Sequence, residues 1–282
     1  MLVTSEQLLL AAQKGNYAVG AFNIENMEMA QAVIETAEEM HAPVILQTTP
    51  STVRYAGLGL FYANVSTLAK NVSVPVALHL DHGSSFELAV QAIREGYTSI
   101  MIDGSHESYE DNIALTKKVV DIASPINVPV EAELGKVGGK EDDLDAGKCN
   151  GYTDPFEAKE FVERTGIQSL AVAIGTAHGF YEGTPKLDLE RLKAIRKVVD
   201  IPLVLHGASG LSDQDVMECI KEGICKVNFA TELRAAYTEG IKETIEKDPK
   251  VYDPKKYGNA GKDKLKQLVQ NRMSICGCIG KY

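Results

Sequence analysis

Short apolar runs alternate with longer amphipathic segments along most of the chain. Most of the runs are rich in Val, Ile, Leu and Ala at successive positions, which predicts strands that are buried on both faces. We predict eight such strands, at 18–24, 43–49, 74–82, 99–105, 128–135, 169–176, 202–209 and 226–231.

The segments between the strands carry apolar residues three and four positions apart, which is the spacing of amphipathic helices. These helices are predicted at 27–40, 86–95, 109–123, 155–165, 187–199 and 213–222. A further short helix at 4–14 precedes the first strand. Several of the helices are followed by a glycine that suits a left-handed cap, at Gly96, Gly166 and Gly223.

Strands that alternate with helices pair in parallel through right-handed crossovers, and eight of them close a barrel. We therefore predict an α/β fold, a single (β/α)₈ TIM barrel over 1–282 with an N-terminal helix and a C-terminal helical extension at about 232–282. A doubly wound open sheet is the alternative, although it usually has fewer strands and a Gly-rich first turn, which 21–26 lacks. The Gly-rich, acidic segment at about 136–153 is predicted to be a long mobile loop.

Polar residues follow the apolar part of each strand, at the barrel rim where chemistry is usually found. Three of the six histidines, His82, His178 and His206, end the third, sixth and seventh predicted strands. Three imidazoles with an open coordination position are typical of a catalytic zinc site, and Asp81 would place a proton-transfer group beside it. The alternative for the stretch 79–82 is a hydrogen-bonded surface loop, and His79 is predicted to be a core residue.

Small and hydroxyl-bearing residues follow the seventh and eighth strands, where barrels commonly bind phosphate. Their backbone N–H groups could reach an anion at the start of a helix. The alternative is an ordinary glycine turn with a Thr231 N-cap. The residues concerned are Gly179, Gly207, Ala208, Ser209, Asn228, Phe229, Ala230 and Thr231.

Composition and charge restrict the classes of partner. The 282 residues are 44% hydrophobic and 24% charged, which favours a full globular core, and the net charge of −10 argues against nucleic acid or an anionic membrane as partner. No apolar run approaches the length of a membrane span, and 1–6 lack the features of a signal peptide. The five scattered cysteines indicate reduced thiols in a cytoplasmic protein.

Seven runs of sequence, in order, resemble the class II, zinc-dependent ketose-bisphosphate aldolases across nearly the whole chain. They are AVGAFNIEN at 18–26, ALHLDHGS at 77–84, MIDGSH at 101–106, VEAELGKVGGKED at 130–142, AIGTAHG at 173–179, LVLHGASG at 203–210 and KVNFATE at 226–232. The runs at 173–179, 203–210 and 226–232 favour the tagatose-1,6-bisphosphate branch. The runs at 18–26 and 77–84 are equally similar to the fructose-1,6-bisphosphate branch.

The resemblance implies that His82, His178 and His206 hold Zn²⁺. Asp81 would exchange the C4-hydroxyl proton and Glu141, on a mobile loop, the C3 proton. Gly179 and the segments 207–209 and 228–231 would bind the dihydroxyacetone phosphate half of the substrate. A monovalent cation, Na⁺ or K⁺, would lie near this phosphate. Glu133 and Asn23 would hold the metal-binding and catalytic side chains in place without contacting the substrate themselves.

The expected ligands are a ketohexose 1,6-bisphosphate, dihydroxyacetone phosphate and glyceraldehyde 3-phosphate. The expected assembly is a homodimer or homotetramer, with a stabilising partner subunit as a further option. The chain departs from the family pattern at Glu182, where some fructose-type relatives have lysine, and at Asn259, where many have an arginine nearby. The ligand of the distal phosphate is therefore open, with Lys255, Lys256 and Lys262 as the nearest basic groups.

Three other functions remain as alternatives. A Schiff-base aldolase would need a lysine at the rim, and Lys226 is the one strand lysine to consider. A metal-dependent amidohydrolase would favour a His-x-His pair on the first strand, which offers only Asn23. A non-catalytic barrel would have little reason to retain Asp81 together with three histidines.

Overall fold

Eight parallel strands close into a barrel, as the alternating sequence pattern predicted. The structure is a computed structural model, and it describes residues 1–141, 144–145, 151–181, 183 and 185–282, with the backbone alone at 140, 141, 144 and 145. The strands are β1 (Val19–Asn23), β2 (Val44–Thr48), β3 (Val76–Gly83), β4 (Ser99–Ile102), β5 (Val130–Leu134), β6 (Gly138–Glu141), β7 (Leu144–Asp145), β8 (Ser169–Val172), β9 (Ala177–His178), β10 (Leu203–Leu205) and β11 (Ile224–Phe229). The barrel order is β1-β11-β10-β8-β5-β4-β3-β2, so the open-sheet alternative is wrong.

Helices cover the outside of the barrel and its amino-terminal end. In the described residues they are α1 (Ser5–Gly15), α2 (Met27–Glu39), α3 (Pro50–Ala56), α4 (Leu58–Ala69), α5 (Phe86–Glu95), α6 (Tyr109–Ala123), α7 (Pro155–Thr165), α8 (Leu189–Arg196), α9 (Asp213–Lys221), α10 (Thr231–Lys247) and α11 (Pro254–Ile275). The side chains of Asn26, Ser85 and Asp154 accept hydrogen bonds from first-turn N–H groups and so fix where α2, α5 and α7 begin. The predicted caps Gly96 and Gly166 have left-handed backbones.

The eight barrel strands are buried along their whole length because they lie between the barrel interior and the surrounding helices. The N-terminal helix α1 lies at the amino ends of the strands: Leu2 pairs with Val76, where β3 begins, and Ser5 Oγ lies 2.6 Å from Ser99 Oγ, where β4 begins. The predicted N-terminal helix is therefore confirmed, and it leaves the opposite rim of the barrel for the polar residues.

Four features differ from the sequence-based expectations. No helix was predicted between the second and third strands, where α3 and α4 occur with Gly57 at φ +85° between them. The predicted loop at 136–153 contains β6 and β7, and β6 pairs with β9. This pairing is close because Gly139 has no side chain, and a Cβ there would collide with the backbone of His178. The mobility of this segment stays a prediction.

The other two differences concern strand ends and the C-terminal extension. Barrel strand β8 ends at Val172, earlier than predicted, and His178 lies on the separate strand β9. The extension consists of α10 and α11, as predicted. From its sequence the Pro-rich stretch at 248–256 is predicted to be a turn, but α11 already begins within it, at Pro254. Asp253 accepts a hydrogen bond from the N–H of Lys255, and proline is well suited to a first helical position, so this turn becomes the start of the helix.

Candidate active site

Three imidazoles converge at the carboxyl end of the barrel. His82 is in β3, His178 is in β9, and His206 directly follows β10. The ring centroids are 4.7 Å apart for His82 and His206, 5.2 Å for His82 and His178, and 6.1 Å for His178 and His206. One ligand nitrogen from each ring lies within 4.8 Å of the other two, so the three rings could share one ion. His82 has a left-handed backbone, with φ +46°, which is unusual for a residue other than glycine and is common at functional sites.

Acidic side chains hold two of these rings. His82 Nδ1 is 2.7 Å from Asp103 Oδ2, and Asp103 directly follows β4. Burial opposes ionisation of Asp103, but the hydrogen bond and charge of His82 outweigh it and lower the pKa of that carboxyl. The exposed His106 takes no part in this contact. A second group that could hold a cation consists of His82, Asp103 and Glu133.

His206 lies between two glutamates of β5. Its Nε2 is 3.0 Å from Glu131 Oε1 and its Nδ1 is 3.0 Å from Glu133 Oε2. Burial alone would lower the pKa of His206, but the hydrogen bond to Glu131 and the nearby carboxylate of Glu133 raise it to about 9. Among the described residues, His206 Nδ1 has no hydrogen-bond partner of acceptable geometry.

Asp81, beside His82 on β3, is fully buried and held by amide groups of three other strands. Its Oδ2 accepts hydrogen bonds from Asn23 Nδ2 at 2.9 Å and from Gln47 Nε2 at 3.0 Å, and its Oδ1 accepts one from Asn228 Nδ2 at 3.1 Å. The register of β1 and β2 places Asn23 beside Gln47, which explains why both amides reach the same oxygen. These donors fix the carboxylate in position, 4.0 Å from His82 Nε2.

Gln47 was not predicted to be a site residue, although an amide in the largely apolar run of β2 is a signal that could have identified it. It also gave no particular role to Asp103, whose only signal is its place after β4. Arg234 was missed as well, because a basic residue in the first turn of a helix carries no distinctive pattern.

A small cavity adjoins the three imidazoles. The helix α10 begins beside it at Thr231, and its N-cap is Ala230, with no side-chain hydrogen bond, so the expected alternative of a Thr231 cap is wrong. Ser209 Oγ accepts a hydrogen bond from Ala230 N, which ties the two loops together. The cavity is lined by His178, Gly179, Gly207, Ser209, Asn228, Ala230, Thr231 and Arg234.

Two residues that were predicted for this region do not line the cavity. Ala208 is buried, and the Phe229 ring stacks on Phe22 in the core at a centroid distance of 5.6 Å. Arg234 donates from Nε to Glu25 Oε1 at 2.6 Å, and Glu25 Oε2 accepts a hydrogen bond from Thr52. The arginine is thus held at the cavity edge by a carboxylate from the loop after β1.

The remaining predicted residues are only partly described. The backbone of Glu141 ends β6, the strand whose Gly139 pairs with His178, but its side chain lies outside the described residues. Glu182 also lies outside the described part of the chain. Asn259 and Lys256 are exposed, while Lys255 pairs with Asp253 and Lys262 with Glu35.

Lys226 does not lie at the site. It occupies the middle of β11, not its start as predicted, and its fully buried ammonium group lies 2.8 Å from Glu131 Oε2. An ion-paired lysine closed off inside the barrel is unsuited to attack a substrate carbonyl at the rim, which argues against the Schiff-base alternative.

Comparisons with known proteins identify the family of the chain. Residues 3–281 match the family of class-II fructose-bisphosphate aldolases. The YdjI aldolase from Escherichia coli K12 is similar in structure, with a TM-score of 0.88 and 37% identity over 100% of this chain and 99% of that one. A Coccidioides immitis protein, provisionally identified as a fructose-1,6-bisphosphate aldolase, has a TM-score of 0.91 and 32% identity over 98% of this chain and 96% of its own.

A more distant structure supports the fold alone. It is the fructose-bisphosphate aldolase of Campylobacter jejuni, with a TM-score of 0.85 and 24% identity over 100% of this chain and 97% of that one. Within the described residues, no helix is both long and apolar enough to cross a membrane. From the family match over 3–281 and the two structures at 37% and 32% identity, the chain belongs to the class II fructose-bisphosphate aldolase family and is a carbon–carbon lyase.

Proposed function

We propose that the chain catalyses the zinc-dependent cleavage of a ketohexose 1,6-bisphosphate to dihydroxyacetone phosphate and glyceraldehyde 3-phosphate, and the reverse aldol condensation. D-Tagatose 1,6-bisphosphate is the favoured substrate, and fructose 1,6-bisphosphate is the alternative with the same mechanism. The observation that carries the proposal is the convergence of three imidazoles beside a carboxylate that three amides hold in place.

The donor set fits zinc. Three neutral imidazoles with a further open position are a usual catalytic zinc arrangement, and the buried His206 Nδ1 without an acceptable hydrogen-bond partner among the described residues suits a metal ligand. His82, His178 and His206 would hold the ion. When bound, zinc supplies Lewis-acid stabilisation of the negative charge that develops on the substrate as the C3–C4 bond breaks.

Two carboxylates would move the protons. Asp81 takes the proton of the C4 hydroxyl as the bond breaks, which releases the aldehyde, and its fixed orientation reduces the reorganisation needed at that moment. Glu141 then gives a proton to C3. The pairing of β6 with β9 supports this role because Glu141 ends β6, two positions after Gly139, which pairs with His178. Asn23 and Glu133 support Asp81 and His206 respectively.

The cavity at the start of α10 would bind the phosphate of the dihydroxyacetone half. Its support is the combination of the start of α10, where no side chain caps the helix, with the small residues Gly179 and Gly207. A monovalent cation, Na⁺ or K⁺, would lie near this phosphate. Ala208 and Phe229 would contribute backbone only, since their side chains do not line the cavity. Arg234 adds a positive charge at the cavity edge.

We further propose that the 282 residues form one catalytic domain that assembles as a homodimer or homotetramer, with or without a stabilising partner subunit. A cytoplasmic location is proposed because Cys219, Cys225, Cys276 and Cys278 are free thiols. Activity of the purified chain by itself would show that the partner subunit is not needed for catalysis.

The proposed reaction is tested by comparing cleavage rates on the two bisphosphates. We expect the zinc-loaded chain to cleave D-tagatose 1,6-bisphosphate with the higher kcat/KM, and we expect EDTA to abolish cleavage of both. Added Zn²⁺ should restore the activity. Cleavage that resists EDTA would contradict the metal-dependent mechanism. A higher kcat/KM on fructose 1,6-bisphosphate would reverse the assigned preference, and no cleavage of either compound would contradict the proposed function.

The role of Glu141 is tested separately. Glu141→Gln is expected to lower kcat by about 10²- to 10⁴-fold, the usual contribution of a general acid or base, with zinc content unchanged. Exchange of the C3 proton of dihydroxyacetone phosphate with deuterated water reports this step directly. The neighbouring Lys140→Gln is the control. Wild-type exchange in Glu141→Gln would assign the C3 proton to another group.

A further inference from the structure

A buried ion pair lies within the barrel, and the proposed chemistry does not use it. Lys226 Nζ lies 2.9 Å and 2.8 Å from the two carboxylate oxygens of Glu131, and both side chains are almost completely buried. The two residues are on β11 and β5, which are not neighbours, so the contact crosses the barrel interior. Burial of two charges costs desolvation free energy that their attraction need not recover, so stability alone does not explain this pair.

The ion pair is connected to the amino-terminal end of the barrel. Lys226 Nζ is 3.4 Å from His79 Nε2, and His79 Nδ1 is 2.7 Å from Ser99 Oγ. Ser99 Oγ in turn contacts Ser5 Oγ of α1. Since an ammonium group can only donate, His79 Nε2 must accept, and its proton is on Nδ1. These contacts keep the Lys226 ammonium group in one position.

The ion pair is also connected to the candidate metal site, because Glu131 Oε1 lies 3.0 Å from His206 Nε2. A carboxylate can only accept hydrogen bonds, so this contact requires a proton on His206 Nε2. In the neutral ring the other nitrogen, Nδ1, then carries the lone pair. The orientation of this ring is set by the same contact, since Glu131 is itself held from two sides.

We propose that the Lys226–Glu131 ion pair positions His206 for metal binding. Glu131 keeps the His206 proton on Nε2 and turns Nδ1 toward the shared ion, and Lys226 holds Glu131 in place with its charge balanced. The inference rests on the proposed function, in which His206 is a zinc ligand. Neither residue touches the substrate, so both are positioning residues.

The test uses charge-balanced variants and measures metal binding. Glu131→Gln removes the negative charge that balances Lys226, and in either orientation its NH₂ group faces a donor, Lys226 Nζ or His206 Nε2. We expect the dissociation constant for zinc, measured by competition with a chelator, to rise about 10- to 100-fold, as is usual when the hydrogen-bond partner of a metal-binding histidine is removed. In the double variant Glu131→Gln/Lys226→Met, the glutamine oxygen serves His206 alone. We expect most of the lost zinc affinity to return.

A spectroscopic measurement separates positioning from a general effect on folding. The visible absorption of the Co²⁺-loaded protein reports ligand geometry, and we expect it to change in Glu131→Gln and to recover in the double variant. The control is Glu110→Gln, which removes an exposed partner of Arg164 and should leave zinc affinity and the Co²⁺ spectrum unchanged. If Glu131→Gln does not fold, the balanced double variant and Glu131→Asp provide the same comparison.

The outcomes are distinct. Wild-type zinc affinity and an unchanged Co²⁺ spectrum in Glu131→Gln would overturn the positioning role while leaving the proposed function intact. Failure of the folded double variant to recover affinity would also overturn it. Absence of stoichiometric zinc from the wild-type chain would overturn both the proposed function and the inference.

Discussion

Substitution of Asp81 by Asn is expected to lower kcat for bisphosphate cleavage by about 10²- to 10⁴-fold while zinc content stays stoichiometric. The carboxylate is fully buried and is the only group in the described site that three amides hold beside the imidazoles. An amide of the same shape keeps the packing but cannot take the C4-hydroxyl proton. The change should therefore affect kcat much more than KM.

The same substitution should also cost some stability. One oxygen that accepts hydrogen bonds is replaced by an NH₂ group that faces other amide donors, so we expect the free energy of unfolding to fall by about 1–3 kcal/mol. Metal analysis and thermal unfolding of the purified variant separate this cost from the loss of turnover. The exposed Asp121→Asn is the control, since Asp121 pairs with Lys117 on the surface of α6, away from the barrel rim. A variant that loses its zinc but turns over normally per remaining zinc atom would contradict the assigned role.

Removal of His206 is expected to have the second large effect. His206→Ala deletes one of the three imidazoles, and we expect loss of stoichiometric zinc together with a fall in kcat/KM of about 10³-fold or more. This magnitude corresponds to several kcal/mol of lost charge stabilisation by the metal. Zinc content after gel filtration and the dissociation constant for zinc measure the first effect, and steady-state kinetics measures the second.

The control for this substitution is His106→Ala, because His106 follows β4 but is exposed and belongs to neither group that could hold a metal. It should bind zinc and cleave substrate as the wild type does. The folded state of His206→Ala is checked by thermal unfolding, since the cavity left between Glu131 and Glu133 will lower stability. Retention of stoichiometric zinc in a folded His206→Ala protein would show that the proposed ligand set is wrong.

Sequence patterns predicted the barrel because each strand and helix carries its own local signal. Continuous apolar runs identified the eight barrel strands, and capping residues such as Ser85 and Gly96 marked where α5 begins and ends. Strand ends were less accurate. The residues after β8 and β10 lie outside the barrel strands although the apolar pattern continues at 173–174, so the pattern predicted longer strands than hydrogen bonding supports.

The partners of the site residues were much harder to predict. Asp81 and Asn228 are 147 positions apart in the chain, and Lys226 and Glu131 are 95 positions apart. No local pattern couples such residues, since their contact depends on the closure of the barrel and on strand register. For the same reason Gln47 and Arg234 were not predicted as site residues, and the sequence alone does not distinguish an ion-paired Lys226 from a nucleophile.

The sequence by itself determined the eight barrel strands, most of the helices between them, the closure of a barrel, and that three histidines and an aspartate would follow or end those strands. It could do so because burial, capping and the period of apolar residues act over a few neighbouring positions. Only the tertiary structure decided that β9 carries His178, that three amides hold Asp81, and that Lys226 and Glu131 form an ion pair behind His206. Those contacts join distant parts of the chain, and the register of the closed barrel brings them together.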